Sequence, residues 1–552
     1  MKTNDSPTTT VNPAKGITVT KLGQASPNGS SGGEPTTGIR SAESSKVPDE
    51  HDGPDATSNA KGAMSTGSSS GELIPASEIK FSHDLMVELL LFRSQQGQDF
   101  FVMPGPGNPR CVPVGSRQGN NLIRRLAQEK GHVPSSRELR DMNEHLMSIA
   151  DVGGISAEAW YRVAPCLGGI EIDLDDESNT RVRVTANSVV LLRDGSPLLF
   201  HRTPISRPLV EPAEDGDLDR LNQYLNLTAP DILLLKAWMS YTLAHPKQAS
   251  AKFPILVLQG EQGTGKSFLC RIIQTLIDPN DVGVQILPGS GKDLAIAARN
   301  AHVLAFDNVR GIPPQMADLL CIASSGGALT SRRLYTDADQ STLHLHAALI
   351  INGIHDFVTQ SDLAQRCLPL HLKSLASANR QSERDLIRRF QADLPTIFRG
   401  LLDLISAVFA QLPSAEPIHN YRMIDFTHWL AAMEHAEGIH GTPYQDAYTD
   451  VLRNAQRETL LNSPLAAALL AFAEKLKVPQ WEGTPTQLLD ELNDVAPQGT
   501  EYWRYWPKNP ISLSKRLQPL MGGLREQGVD VQISRGKQRR ITITVAEDFD
   551  HA

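Results

Sequence analysis

The segment Gly260-Glu261-Gln262-Gly263-Thr264-Gly265-Lys266-Ser267 restricts the fold more than any other stretch of this chain. It fits the spacing G-x-x-x-x-G-K-[ST]. An apolar run at 253–258 leads into it, and an amphipathic run at 268–273 leaves it. Those flanks predict a strand, a tight loop and a helix. Glycines let successive backbone N–H groups turn inward around an anion, and the helix that follows adds its positive end. The loop is therefore expected to cradle the phosphates of ATP. Lys266 would reach the β- and γ-phosphates, and Ser267 would hold Mg²⁺.

Such a loop needs a second apolar strand that ends in an acid. His302-Val303-Leu304-Ala305-Phe306-Asp307 supplies one about forty residues downstream, which makes Asp307 the expected Mg²⁺-linked carboxylate. The next residue is Asn308. An amide orients water but takes no proton, so slow hydrolysis is expected here unless DNA or assembly stimulates it. A third apolar strand is expected over 343–351, ending at Asn352, either a sensor of the γ-phosphate or a plain turn residue before Gly353. Arg366 precedes a further apolar strand. It reads either as a finger that completes a neighbouring subunit's site or as a salt-bridged surface arginine.

Around this core the composition shifts. Residues 1–75 are rich in Ser, Thr, Gly, Pro and Asn and hold few large apolar groups, so a disordered tail is expected. A small α+β domain is expected over 81–210, with helices at 84–92, 121–128 and 136–147 and strands at 160–164, 169–174, 181–184 and 188–192. The nucleotide core takes 217–375, a helical lid or linker 376–463, and a last unit 464–546. Five cysteines (Cys111, Cys166, Cys270, Cys321 and Cys367) form no C-x-x-C pair, so neither a zinc ribbon nor a disulfide framework is expected. No apolar run approaches a membrane span. These features predict a soluble cytoplasmic protein without a membrane partner.

The net charge is −9, so any affinity for nucleic acid must be local. Between 500 and 540, nine basic side chains face three acidic ones. The last unit reads as three helices and a hairpin, the order of a winged helix. Its recognition helix would span 512–520 with Lys515 and Arg516, and its wing would carry Arg535, Lys537, Arg539 and Arg540. Such groups suit DNA phosphates, although winged helices also bind proteins. The acidic run Glu171-Ile172-Asp173-Leu174-Asp175-Asp176-Glu177 has the alternation of a metal-binding carboxylate pair, but alternating acids more often form the wet face of a strand.

Taken in order, GEQGTGKS, LAFDN, SSGGALTSRRLYTD, LIING and DLAQR resemble the superfamily-three helicase group. They are most similar to D-five-like AAA+ ATPases of phages, plasmids and integrated elements. Bacterial ATP-binding proteins related to the helicase part of bifunctional primase–polymerases share the pattern. The resemblance covers about 80–545 and implies an α/β P-loop NTPase core of the AAA+ type, with the small α+β domain before it and helices and a C-terminal winged helix after it. It also implies a homo-oligomeric ring, a hexamer, that acts as the replicative helicase of a mobile element on single-stranded or forked DNA, with a primase or replication initiator as a further partner. In that group a hairpin grips DNA. Here it would carry Arg332, Arg333 and Tyr335, although Asp337 and Asp339 make its tip acidic. A nucleotide-controlled assembly switch that hydrolyses ATP without unwinding is the alternative.

Overall fold

The computed structural model describes residues 90–546 except 104–106, 153–155, 249, 333–339, 354–356, 359, 376–380, 462, 477, 498–505 and 535–538. Before residue 90 it describes only Thr10–Val11 and Thr18–Val19, which pair antiparallel. The rest of the tail expected over 1–75 lies outside the described residues. Among the described residues, no helix is long and apolar enough to cross a membrane.

From residue 90 onward the described chain runs through β1 (Leu91–Arg93), β2 (Asp99–Val102), β3 (Arg110–Pro113), α1 (Arg117–Glu129) and α2 (Ser136–Val152). Ser116 starts α1 by accepting the Gly119 N–H on its hydroxyl, which satisfies one of the free N–H groups of the first turn. Then come β4 (Ala159–Trp160), β5 (Val163–Cys166), β6 (Gly169–Asp173), β7 (Arg181–Thr185), β8 (Ser188–Leu192) and β9 (Leu199–His201). They form two sheets, ordered β1-β2-β3-β9-β4 and β8-β7-β6-β5.

Three expectations fail in this region. The helix expected over 84–92 ends in a strand, because Phe92 stacks on Phe100 across the β1–β2 pair with ring centroids 5.4 Å apart (84–89 lie outside the described residues). That cross-strand aromatic contact outweighs helical spacing. The single strand expected over 160–164 breaks at Arg162, whose φ is +63°. The first three acids of the run, Glu171, Asp173 and Asp175, form neither a metal pair nor a wet face, whereas Glu177 is exposed. Glu171 is fully buried and accepts from Arg183 Nε at 2.9 Å and Ser196 Oγ at 2.5 Å. Asp173 and Asp175 face Arg202 Nε at 3.3 and 2.7 Å. Each of these three acids is paired with an arginine, the usual condition for burying a charge.

After a 3₁₀ turn at Leu218–Tyr224 the central part runs through α3 (Ala229–Ala244), β10 (Ile255–Gln259), α4 (Lys266–Ile277), β11 (Val284–Gln285), α5 (Gly291–Asn300), β12 (Val303–Phe306), α6 (Pro314–Ser325), β13 (Gly327–Arg332), β14 (Gln340–Leu345), β15 (Ala348–Asn352), α7 (Ser361–Ala364) and β16 (Cys367–His371). Five of the strands form a parallel sheet ordered β11-β12-β15-β10-β16. Side chains alternate across it. Leu256, Leu258, Ile350, Leu368 and Leu370 belong to one core with residues of α3, α4 and α8 (Glu383–Gln411). Ile255, Val257, Leu349, Ile351 and Cys367 belong to another with α5 and α6. Burial on both faces is what continuous apolar strands predict. The strand expected over 343–351 is two strands in two sheets. His346 breaks it by turning its ring to the Ala251 carbonyl, 3.0 Å away.

Helices α8, α9 (Ile424–Ala436) and α10 (Pro443–Leu461) follow. The last unit comprises α11 (Pro464–Lys475), β17 (Gln480–Gly483), α12 (Pro485–Val495), α13 (Pro510–Leu517), α14 (Met521–Glu526), β18 (Val529–Ser534) and β19 (Arg540–Val545). The expected order of three helices and a hairpin omits the fourth helix, α14, and β17, which pairs with β19 in the sheet β17-β19-β18. The helix expected over 512–520 is α13 followed by a 3₁₀ turn, Gln518–Leu520.

The small domain is fixed to the sheet through Asp278, at the C-terminal end of α4. Its buried carboxylate accepts from Arg162 Nε at 3.0 Å, Tyr161 Oη at 3.2 Å and the backbone N–H groups of His302 and Val303 at 2.6 and 2.9 Å. His302 is itself fully buried, and its Nε2 donates to the Thr242 carbonyl at 2.9 Å. Burial pushes this imidazole down from 6.5 to about 4. The unfolded side chain takes up a proton as pH falls through 6.5, whereas the folded one does so only near 4. Stability is therefore full above that window and is lost on acidification, on the order of 2 kcal/mol by pH 5 from this group. Urea denaturation at pH 7 and pH 5 is expected to give a smaller loss for His302→Gln than for the wild type. Equal losses would remove His302 from the account.

Candidate active site

Strand β10 ends at Gln259, and six residues separate it from the start of α4 at Lys266. Three glycines make that turn. Gly260, Gly263 and Gly265 have φ of +147°, +83° and +94°, values that L side chains rarely adopt. Gly265 caps α4 without any side chain on the helix's first N–H groups. Thr264 Oγ1 donates to the Glu261 carbonyl at 3.0 Å, and Ser374 Oγ donates to Glu261 Oε2 at 2.9 Å. Lys266 folds back, its Nζ giving hydrogen bonds to the Gly260 and Glu261 carbonyls at 2.7 and 2.8 Å. Burial lowers the pKa of this ammonium, and the nearby Asp307 opposes that shift.

Strand β12 delivers Asp307 beside the start of α4, where Asp307 Oδ2 accepts from Ser267 Oγ at 2.8 Å. Asn308 follows with φ of +56°, its side chain exposed. Its backbone N–H donates to Asn352 Oδ1 at 3.0 Å, and the Val309 N–H donates to the Asn352 carbonyl at 2.9 Å. Asn352 is fully buried at the end of β15, and its amide N–H points to Cys270 Sγ at 3.5 Å. Both ends of the Asn352 amide thus hold the backbone beyond β12 and the body of α4.

Lys266, Ser267, Asp307, Asn308 and Asn352 converge where β10, β12 and β15 end. Arg366 does not. Its carbonyl accepts the Ile255 N–H at the start of β10, so it sits at the opposite edge, roughly 16 Å away along a five-residue strand. There its Nη1 donates to Ser325 Oγ at 2.6 Å, and its Nε lies 3.5 Å from Asp362. Of the basic residues expected on DNA, Lys515 is exposed on α13 and Arg516 is half-buried. Arg539 is exposed, and Arg540 pairs with Glu482 at 2.6 Å. Arg332 ends β13, whereas Arg333, Tyr335, Arg535 and Lys537 lie outside the described residues.

Two groups around the loop carry no signal in the sequence, Asn226 and Ser374, and the role of Cys270 beside Asn352 is visible only in the fold. Asn226 Nδ2 reaches the Thr264 carbonyl at 3.2 Å. Asn226 and Ser374 come from distant or unpatterned positions, so no local signal marks them. Among the described residues, no cluster of three or more His, Cys, Asp or Glu is arranged to hold a metal.

Residues 218–455 match the family described as actinomycete integrative conjugative element replication protein. Residues 465–550 match the AICE RepA C-terminal domain. The two stretches together make up more than half of the 552 residues. Across them, the chain belongs to this replication-protein family. Every residue of the loop, together with Asp307, Asn308, Asn352 and Arg366, falls in the first matched stretch of the replication protein, and α11–β19, all but Pro464, fall in the second. Among solved structures, two A-form apo structures of the NrS-1 C-terminal region are similar at 10% and 11% identity. Their TM-scores are 0.37 and 0.38, and the similarity covers 85% and 84% of this chain and 99% and 98% of theirs. No curated protein matches the chain.

In this replication protein, Asn352→Ala removes the acceptor of the Asn308 N–H and empties a fully buried polar position, and is expected to cost about 1–3 kcal/mol, the penalty for one unpaired group. Urea denaturation measures it, and an unchanged midpoint would show that Asn352 does not hold this edge.

Proposed function

We propose that this replication protein is an ATP-hydrolysing, DNA-dependent motor, a P-loop NTPase of the AAA+ type that works as a ring like the superfamily-three helicases it resembles. The observation that carries the reading is the convergence of a glycine turn at positive φ, Lys266, Ser267 and Asp307 at one edge of the sheet. Backbone N–H groups of the turn bind the phosphates. Lys266 exchanges two carbonyls for phosphate oxygens, and the anion offsets the burial that now lowers its pKa.

The site fits Mg²⁺. Ser267 Oγ and Asp307 Oδ2 are hard oxygens 2.8 Å apart, the donor type this ion takes. Bound there, Mg²⁺ supplies charge neutralisation on the β- and γ-phosphate oxygens. Asn308 orients the attacking water, and Asn352 fixes the backbone that carries it. Arg366, on the far edge of the sheet, serves the nucleotide of a neighbouring subunit. Lys515, Arg516, Arg535, Lys537, Arg539 and Arg540, on a winged helix, engage DNA phosphates, and Arg332, Arg333 and Tyr335 engage the strand in the channel.

A second reading, an assembly switch that hydrolyses ATP without unwinding, is favoured by one observation. The residue after Asp307 is an amide, which takes no proton from water.

ATP hydrolysis is expected to rise several-fold with single-stranded DNA and to fall by about a hundredfold or more in Lys266→Ala, the scale for removing one preorganised charge contact. Arg366→Ala is expected to lose hydrolysis while retaining nucleotide. Displacement of a strand from a forked duplex supports the motor. Hydrolysis without displacement supports the switch, and a Lys266→Ala protein that hydrolyses normally contradicts both.

A further inference from the structure

Asn226 joins three segments that are far apart in the chain. It lies between the 3₁₀ turn Leu218–Tyr224 and Thr228, the residue that caps α3. One amide group, Asn226 Nδ2, donates to the Thr264 carbonyl at 3.2 Å and to the Lys373 carbonyl at 2.6 Å. In return, the Lys373 N–H donates to the Asn226 carbonyl at 3.1 Å. Beside it, the Leu372 N–H continues the β10–β16 ladder by donating to Gln259 O at 2.9 Å. The arm that carries Asn226 is held from behind. Leu227 is buried, and Tyr224 Oη donates to Asp393 of α8 at 2.6 Å.

The consequence lies in the next peptide. No cis bond occurs among the described residues, so the carbonyl of Thr264 and the N–H of Gly265 point in opposite directions. Drawing that carbonyl toward Asn226 turns the Gly265 N–H to the side away from Asn226. Gly265 has no side chain to fix this peptide by itself, and at φ of +94° the backbone there has wide freedom.

We infer that Asn226 is a positioning residue for the phosphate cradle: its amide anchors the Thr264 carbonyl and so presets the Gly265 N–H for a phosphate oxygen. The inference rests on the nucleotide reading above. An N–H that meets the phosphate equally before and during reaction contributes to binding rather than to the chemical step.

The discriminating variant is Asn226→Asp, which keeps the size of the side chain and loses its N–H donors. Both Asn226→Ala and Asn226→Asp are expected to raise KM for ATP by about five- to tenfold, the scale of one hydrogen bond, with kcat within twofold of the wild type. Asn226→Asp should be the worse, because its carboxylate faces two carbonyls. Asn226→Gln, which keeps the amide, should recover part of the loss. In nucleotide-free protein, hydrogen exchange at the Gly265 amide should differ between wild type and Asn226→Asp while exchange within α3 stays the same. An Asn226→Asp protein with wild-type KM and wild-type exchange overturns the inference, as does one in which kcat falls and KM does not change. A wild-type chain that binds no nucleotide overturns instead the reading on which the inference rests.

Discussion

A helix that begins directly behind a parallel strand leaves its first backbone N–H groups unpaired, and the rest of the core is arranged around that deficit. At α4 nothing from a capping side chain covers them, because Gly265 occupies the cap. The surrounding polar groups satisfy the carbonyls of the turn instead. Lys266, Thr264 and Asn226 all donate to loop carbonyls. These carbonyls have partners within the chain, while the uncapped start of α4 offers the positive end of its peptides to an anion. The parallel sheet brings Asp307 and Asn352 to the same edge, because β12, β15 and β10 are neighbours that run in one direction.

The same helix ties this edge to the small domain. Lys266 and Ser267 open α4, and Asp278 ends it inside a buried set of donors from Tyr161, Arg162, His302 and Val303. A fully buried carboxylate of this kind is costly to expose or to leave unpaired. The small domain is thereby anchored to the helix whose first turn faces the glycine loop.

What was legible in the sequence follows from which forces are local. The loop, the strand ending at Asp307 and most of the amphipathic helices are set by residues adjacent in the chain, and motif spacing and periodicity mark them; the helix expected over 84–92 is the exception. Long-range partners decided the rest. A run of nine residues, 343–351, reads as one strand, but His346 reaches the Ala251 carbonyl and divides it. Acids at 171–177 read as a wet face or a metal site, but Arg183 and Arg202 arrive from elsewhere and permit burial. The small strand β17 was invisible because only pairing with β19 makes it a strand. Asn226 carries no motif at all, and only the folded chain brings it to Thr264.

The edge and the basic final unit lie in the two stretches, 218–455 and 465–550, that match the replication protein and its C-terminal domain. The central claim is narrower and chemical, that a triphosphate occupies the glycine turn between β10 and α4. Titration calorimetry of the whole chain with a non-hydrolysable ATP analogue and magnesium tests it most directly. The account predicts saturable binding at one site per chain that disappears in Lys266→Ala; no heat of binding in the wild type, or the same binding in Lys266→Ala, would contradict it.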